Sequence, residues 1–116
     1  MWEVEFTDEF EQWWNALSEA EQGKVDARVR LLAERGPNLG FPFSSDVKTS
    51  RFREMRELRA QAGGDPLRVL YAFDSRRTAI LLLAGDKTGD NRWYEVNVPV
   101  ADRLFEHHMK TIAMED

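Results

Sequence analysis

The chain contains no cysteine in its 116 residues. This excludes disulfides and thiolate-held metal, and it fits a cytoplasmic protein. Histidine is nearly absent too: His107 and His108 are adjacent on the last predicted helix, a poor arrangement for zinc. No metal site and no cofactor are therefore expected. No apolar run reaches membrane-spanning length, so no membrane partner is expected. The opening MWEVEF carries two glutamates and no basic stretch, which predicts no signal peptide. Internal repeats, low-complexity segments and linkers are also lacking, and residues 1–116 read as a single domain.

What is present argues for a folded core. Hydrophobic residues make up 42%, with seven Phe, four Trp and two Tyr. The net charge of −5 is unevenly spread. Residues 47–93 hold ten Lys/Arg against six Asp/Glu, or +4, while the remainder holds six against fifteen, or −9. A basic region on an acidic body can steer a polyanion whatever the total.

In chain order, Trp2, Val4 and Phe6 alternate with Glu3 and Glu5 as a short strand. Thr7-Asp8, with Glu11 to follow, predicts the start of a helix that buries Phe10, Trp13, Trp14 and Leu17. Ser18-Glu19-Ala20-Glu21 is a second capping signature. It opens a helix with Val25, Val29 and Leu32 on one face, ended by Arg35-Gly36-Pro37. Residues 37–50 read as an ordered loop held by Phe41 and Phe43.

Three strands follow, Arg53–Ala60, Leu67–Phe73 and Thr78–Ala84. The second alternates, with Leu67, Val69, Tyr71 and Phe73 on one face and Arg68 on the other. The third is apolar throughout, as in a strand buried on both faces. Gly63-Gly64 supplies the positive φ angles of a two-residue hairpin turn. Counting outwards from it sets Leu58 against Val69 in the core and Arg59 against Arg68 on the other, helix-free face. Two like charges opposed on a sheet are mildly destabilising. The pair reads either as a device for holding an anion or as a solvated arginine face with Glu57 as counter-charge.

Residues 88–92 form a polar turn before Trp93-Tyr94, and Pro99 predicts the first turn of a closing helix that buries Val100, Leu104, Phe105 and Ile112. The expected class is α+β, in the order β-α-α-β-β-β-α. It is a small antiparallel sheet with an N-terminal helical hairpin and a C-terminal helix, all helices on one face.

The succession Met55-Arg56-Glu57-Leu58-Arg59, a glycine turn, Arg68-Val69-Leu70-Tyr71, an apolar strand and Gly85-Asp86-Lys87 resembles the RelE/ParE superfamily of toxins from toxin–antitoxin pairs. The likeness is strongest to the HigB-like branch, covers nearly the whole chain, and departs where Leu67 stands in place of a common aromatic. It implies a RelE-like fold and a metal-free, ribosome-dependent mRNA endonuclease. The implied partners are mRNA on the ribosome and a cognate antitoxin, a HigA-like helix-turn-helix protein.

In that chemistry the RNA 2′-hydroxyl attacks the adjacent phosphorus. The enzyme removes the proton, stabilises the anionic transition state and protonates the leaving 5′ oxygen. By the resemblance, Arg68 takes the phosphate-binding position with Arg59 beside it. Lys87 is a phosphate holder or an acid, and Tyr94 serves proton transfer or base stacking. Lys48, Arg56 and Arg92 would contact RNA or the ribosome, with Trp93 as a stacking surface; packing is the competing role for both aromatics. Several active relatives carry a histidine in or near the site, whereas His107 and His108 fall on the closing helix as solvated or helix-terminal residues. Glu54 and Glu57 stand where basic relatives have lysine, and Glu57 is a candidate base. The superfamily also holds gyrase inhibitors and members reduced to antitoxin binding and autoregulation.

Overall fold

The computed structural model describes residues 1–115. The elements are β1 (Val4–Phe6), α1 (Asp8–Asn15), α2 (Glu19–Arg35), a 3-10 turn (Gly36–Asn38), β2 (Ser44–Asp46), β3 (Arg56–Ala62), β4 (Asp65–Phe73), β5 (Ala79–Asp86) and α3 (Trp93–Glu115). They form one five-stranded sheet in the order β1-β5-β4-β3-β2. The α+β class and the two N-terminal helices are as expected from the sequence.

The sheet is mixed rather than wholly antiparallel, because β1 runs parallel to β5 at the outer edge. β2 is an added strand in the stretch expected to be a loop, paired antiparallel to β3 over three residues. The hairpin forms in the counted register, Leu58 facing Val69 and Arg59 facing Arg68. Gly63 and Gly64 turn it with φ of 57° and 88°, values that an L side chain rarely adopts.

Both faces of the sheet are covered. The hairpin α1–α2 packs Phe10, Val25 and Leu32 onto Leu58, Val69, Tyr71 and Leu81. On the opposite face α3 packs Val98, Ala101 and Phe105 onto Leu70, Ala72, Ile80 and Leu82. The expectation that all helices share one face, leaving the other bare, is therefore corrected. The physical reason lies in β5: Ile80, Leu81 and Leu82 are all buried, so each face needs its own apolar cover. A bulge at Leu70/Tyr71 keeps facing residues in phase, pairing Leu70 with Leu83 and Tyr71 with Leu81.

Helix ends follow local chemistry. Thr7 caps α1 by accepting from the Phe10 amide at 3.1 Å, and its hydroxyl donates to the Leu82 carbonyl at 2.6 Å. Ser18 and Glu21 form the full capping box of α2. Of the aromatic stripe on α1, Phe10 is buried, whereas Trp13 and Trp14 are half-buried and pack around it.

The start of α3 differs most from expectation. Pro99 does not open the helix, which begins six residues earlier at Trp93 and carries Pro99 in its interior. A proline there removes one backbone donor. Burial of the Trp93 indole and an Asp90 carboxylate that accepts from the Arg92 amide at 2.9 Å set the start instead. Asp102, inside α3, takes bonds from Ser50 Oγ and the Arg51 amide, tying the helix to the loop before β3. These contacts place the first turn of α3 beside β3 and β4.

Candidate active site

The site grows from strand alternation. On β3, Glu57 and Arg59 share a face, and the register sets Arg68 of β4 directly across from Arg59. Glu57 and Arg68 are 5% and 7% exposed, so a carboxylate and a guanidinium are both taken from water here. Burying charges is costly unless they are paired and bonded. Glu57 is well provided: Oε1 accepts from the Tyr94 hydroxyl at 2.6 Å, and Oε2 accepts from Ser45 Oγ at 2.7 Å and Arg59 Nη1 at 3.2 Å.

Arg68 is not. Its Nε lies 3.7 Å from Glu57 Oε1, beyond hydrogen-bond reach. Among the described residues that Nε is the buried side-chain polar atom with no partner. Nη1 donates to the neighbouring Leu67 carbonyl at 3.0 Å, which fixes the fork. A buried donor left unspent costs stability, and its charge is balanced by the Glu57 carboxylate nearby.

Tyr94 is positioned from α3. The Trp93 indole lies so close to Gly85 on β5 that a Cβ there would sit 2.6 Å from indole Nε1. Glycine at position 85 thus lets the first turn of α3 settle onto the sheet. Lys87 follows β5, its Nζ 5.5 Å from the centre of the Tyr94 ring. Burial first, and then the bond to the Glu57 carboxylate, push the Tyr94 phenol above its ordinary value, while Arg68 pulls the other way. The hydroxyl is therefore a neutral donor at physiological pH.

The structure gathers Arg59, Arg68 and Tyr94 around Glu57, with Lys87 over the Tyr94 ring. Because α3 covers this side of the sheet, the site is a recess at the helix's first turn, not the helix-free face expected. The other sequence candidates lie elsewhere. Arg56 points to the opposite face, where it reaches Ser44 Oγ, Tyr71 Oη and the Leu39 carbonyl and forms an ion pair with Asp46. It is a structural strut, because strand alternation puts it in phase with Leu58 rather than Glu57. Trp93 is 5% exposed and offers no stacking surface. Arg92 is exposed at the start of α3 and paired with Glu95 at 3.0 Å. Lys48 is exposed in the loop after β2, with no bond to Glu57 or Tyr94 among the described residues. His108, read as solvated, bonds Asp74 Oδ2 at 2.9 Å; His107 is exposed.

Two contacts at and beside the site had no strong sequence signal. Ser45 reaches Glu57 only through the unforeseen pairing of β2 with β3. Arg28 on α2 donates from Nε to the Arg59 carbonyl at 2.9 Å. No group of three or more His, Cys, Asp or Glu suited to a metal occurs among the described residues. None of their helices is long and apolar enough to cross a membrane.

Residues 12–106 match the family described as "Phage derived protein Gp49-like (DUF891)". A Mycobacterium tuberculosis protein named "Putative toxin HigB3" is 44% identical over 98 residues, covering 84% of each chain. A second from the same organism, "Putative toxin HigB2", is 39% identical over 99 residues, covering 84% of this chain and 49% of that longer protein. Among solved structures, the toxin–antitoxin complex RelBE of E. coli aligns with a TM-score of 0.51 at 10% identity, over 73% of this chain and 95% of that one. Isolated E. coli RelE aligns at 0.50 and 12% identity, over 82% and 94%. At such identities the structures speak for the fold alone. The chain belongs to the Gp49-like family and is a HigB-like toxin with a RelE-like fold.

Proposed function

We propose that this toxin is an endoribonuclease that cuts mRNA held in the ribosomal decoding centre, by attack of an RNA 2′-hydroxyl on the adjacent phosphorus. The observation that carries the reading is the buried Arg68 Nε, unpartnered beside a Glu57 carboxylate that Tyr94 and Arg59 hold in place. Such a group suits a phosphate oxygen, and a proton acceptor stands next to it.

The steps follow from these groups. The scissile phosphate takes the free donors of Arg68 and Arg59, whose planar forks suit two non-bridging oxygens and stay charged throughout. Tyr94 is a neutral phenol. It accepts the 2′-hydroxyl proton as its own proton passes to Glu57 Oε1, so one proton leaves the nucleophile and one arrives on the carboxylate. Negative charge grows on the phosphorane-like centre, where the guanidiniums stabilise it more than they stabilise the ground state. Lys87 at the rim protonates the departing 5′ oxygen. The products are a 2′,3′-cyclic phosphate and a 5′-hydroxyl. Arginine serves poorly as acid or base, which is why the proton work falls to Glu57, Tyr94 and Lys87.

A toxin of this kind needs restraint. The proposed partner is a cognate antitoxin, a HigA-like helix-turn-helix protein, in keeping with a neighbour of the same fold that is itself part of a toxin–antitoxin complex. Controlled expression of wild type, Arg68→Ala and Glu57→Gln tests the reading, with growth and mRNA 5′ ends followed together. Wild type is expected to arrest growth and create new ends inside translated messages, and both variants to do neither. Arrest without new ends would overturn it.

A further inference from the structure

The pairing of β2 with β3 stops at Leu58, so from Arg59 onwards the outer edge of β3 has no strand beside it. Two groups fill the first vacancy: the Phe43 carbonyl accepts from the Arg59 amide at 2.8 Å, and Arg28 Nε donates to the Arg59 carbonyl at 2.9 Å. Beyond them lies an open cleft of about 230 Å³ lined by Arg28, Pro42, Phe43, Arg59, Gln61 and Arg68, with no carboxylate among its walls. Arg28 makes no ion pair among the described residues: its Nε is spent on the Arg59 carbonyl, and its guanidinium lies over the Phe43 ring, 4.9 Å from the centroid. Phe41 stands at the rim, 74% exposed, its ring centre 5.2 Å from the Arg59 guanidinium.

Proteins that bind single-stranded nucleic acid use this combination: guanidiniums for the backbone and an exposed aromatic face for a base. The cleft shares Arg59 and Arg68 with the recess around Glu57, so a chain seated at one continues into the other. We propose that this cleft is a second nucleotide subsite, in which Arg28 holds the phosphate next to the scissile one and Phe41 stacks on the neighbouring base. The assignment rests on the endonuclease reading and adds two residues, from α2 and the loop before β2, that the catalytic recess does not contain. An acidic protein segment is the competing occupant. Continuity with Arg68 and the exposed ring favour RNA.

The test uses the intact chain and a short fluorescent oligoribonucleotide, made uncleavable by one 2′-deoxy residue and titrated over a range of salt. Arg28→Gln should weaken binding at least about fivefold and reduce the slope of log affinity against log salt by about 0.7, one phosphate contact on a single strand. Phe41→Ala should weaken binding by about fivefold or more while leaving the slope unchanged. Arg28→Lys should restore the slope, which a purely structural role through the Arg59 carbonyl would not predict. On programmed ribosomes both variants should raise KM with kcat nearly unchanged.

Wild-type affinity and slope in folded Arg28→Gln and Phe41→Ala would overturn the subsite, as would their losing antitoxin affinity with RNA binding intact. If wild type shows this binding signature but never cuts, the catalytic reading fails while the subsite stands. If it cuts and Arg28→Gln leaves KM unmoved, the reverse holds.

Discussion

Tyr94 donates its phenol to Glu57 Oε1 at 2.6 Å, joining the first turn of α3 to β3 across 37 residues of sequence. The hairpin register places Glu57, β2 brings Ser45 to it, and the close fit of Trp93 on Gly85 aims the phenol.

Removing that hydroxyl should damage chemistry more than folding. Tyr94→Phe is expected to lower kcat about 100-fold or more, and to change stability by only about 1 kcal/mol, the net worth of one hydrogen bond. Burial and Glu57 raise the phenol's pKa, so wild type should keep its Tyr94 proton past about pH 10. The same shift costs stability only above that value, where the unfolded chain ionises first. A pH–rate profile on translating ribosomes checks this; a Tyr94-dependent alkaline fall near pH 8 would contradict the assignment.

Glu57 separates charge from packing. Glu57→Ala strands the buried Arg68 guanidinium and should cost roughly 3–5 kcal/mol. Glu57→Gln keeps the shape and should cost less, yet abolish cleavage equally. Urea unfolding of both proteins decides, and equal stabilities would show that the Glu57–Arg68 charge pair is not what the fold needs here.

Gly85→Ala is expected to act at a distance. The added methyl would overlap the Trp93 indole, so the first turn of α3 must move and Tyr94 with it. Cleavage should fall by at least about tenfold, since small misplacements of catalytic groups are costly, and tryptophan emission should shift. Unaltered activity would mean that α3 adjusts without disturbing the site.

Asp74 predicts the response to acid. Its side chain is fully buried at the β4–β5 turn; burial would raise its pKa, but bonds from His108, Arg76 and the Thr78 and Arg76 amides hold it below the usual carboxylate value. A depressed carboxylate stabilises the fold above its unfolded pKa of about 4, and the contribution fades as pH falls through the folded value. Asp74→Asn should therefore lower Tm at pH 7, and the gap from wild type should close progressively below about pH 4. A constant gap down to pH 2 would rule out ionisation of Asp74 as its source.

Much of this arrangement was legible in sequence. Two adjacent glycines and the phase of Leu58 with Val69 are enough to set Arg59 opposite Arg68, because strand alternation and a two-residue turn leave one register. The second helical layer was also implied by the unbroken apolar run of β5, which a bare face would have exposed to water. It was obscured by Pro99, a residue that usually opens helices and here sits inside one. Arg56 and Arg28 were not legible. The fate of each guanidinium depends on acceptors far along the chain, Tyr71 and Leu39 for Arg56 and the Arg59 carbonyl for Arg28. No local pattern records such contacts. Glu57 proves to be the residue to which Tyr94, Ser45 and Arg59 all bond.

The central claim is that the RNA supplies its own nucleophile while Glu57, Tyr94 and Arg68 serve it. The most direct measurement follows cleavage of a message on translating ribosomes, with and without a single 2′-deoxynucleotide at the cut position. The account predicts cleavage of the all-ribose message to a 2′,3′-cyclic phosphate and a 5′-hydroxyl, and an uncut deoxy-substituted message at that position. Equal cleavage of the two messages, or 5′-phosphate ends, would contradict it.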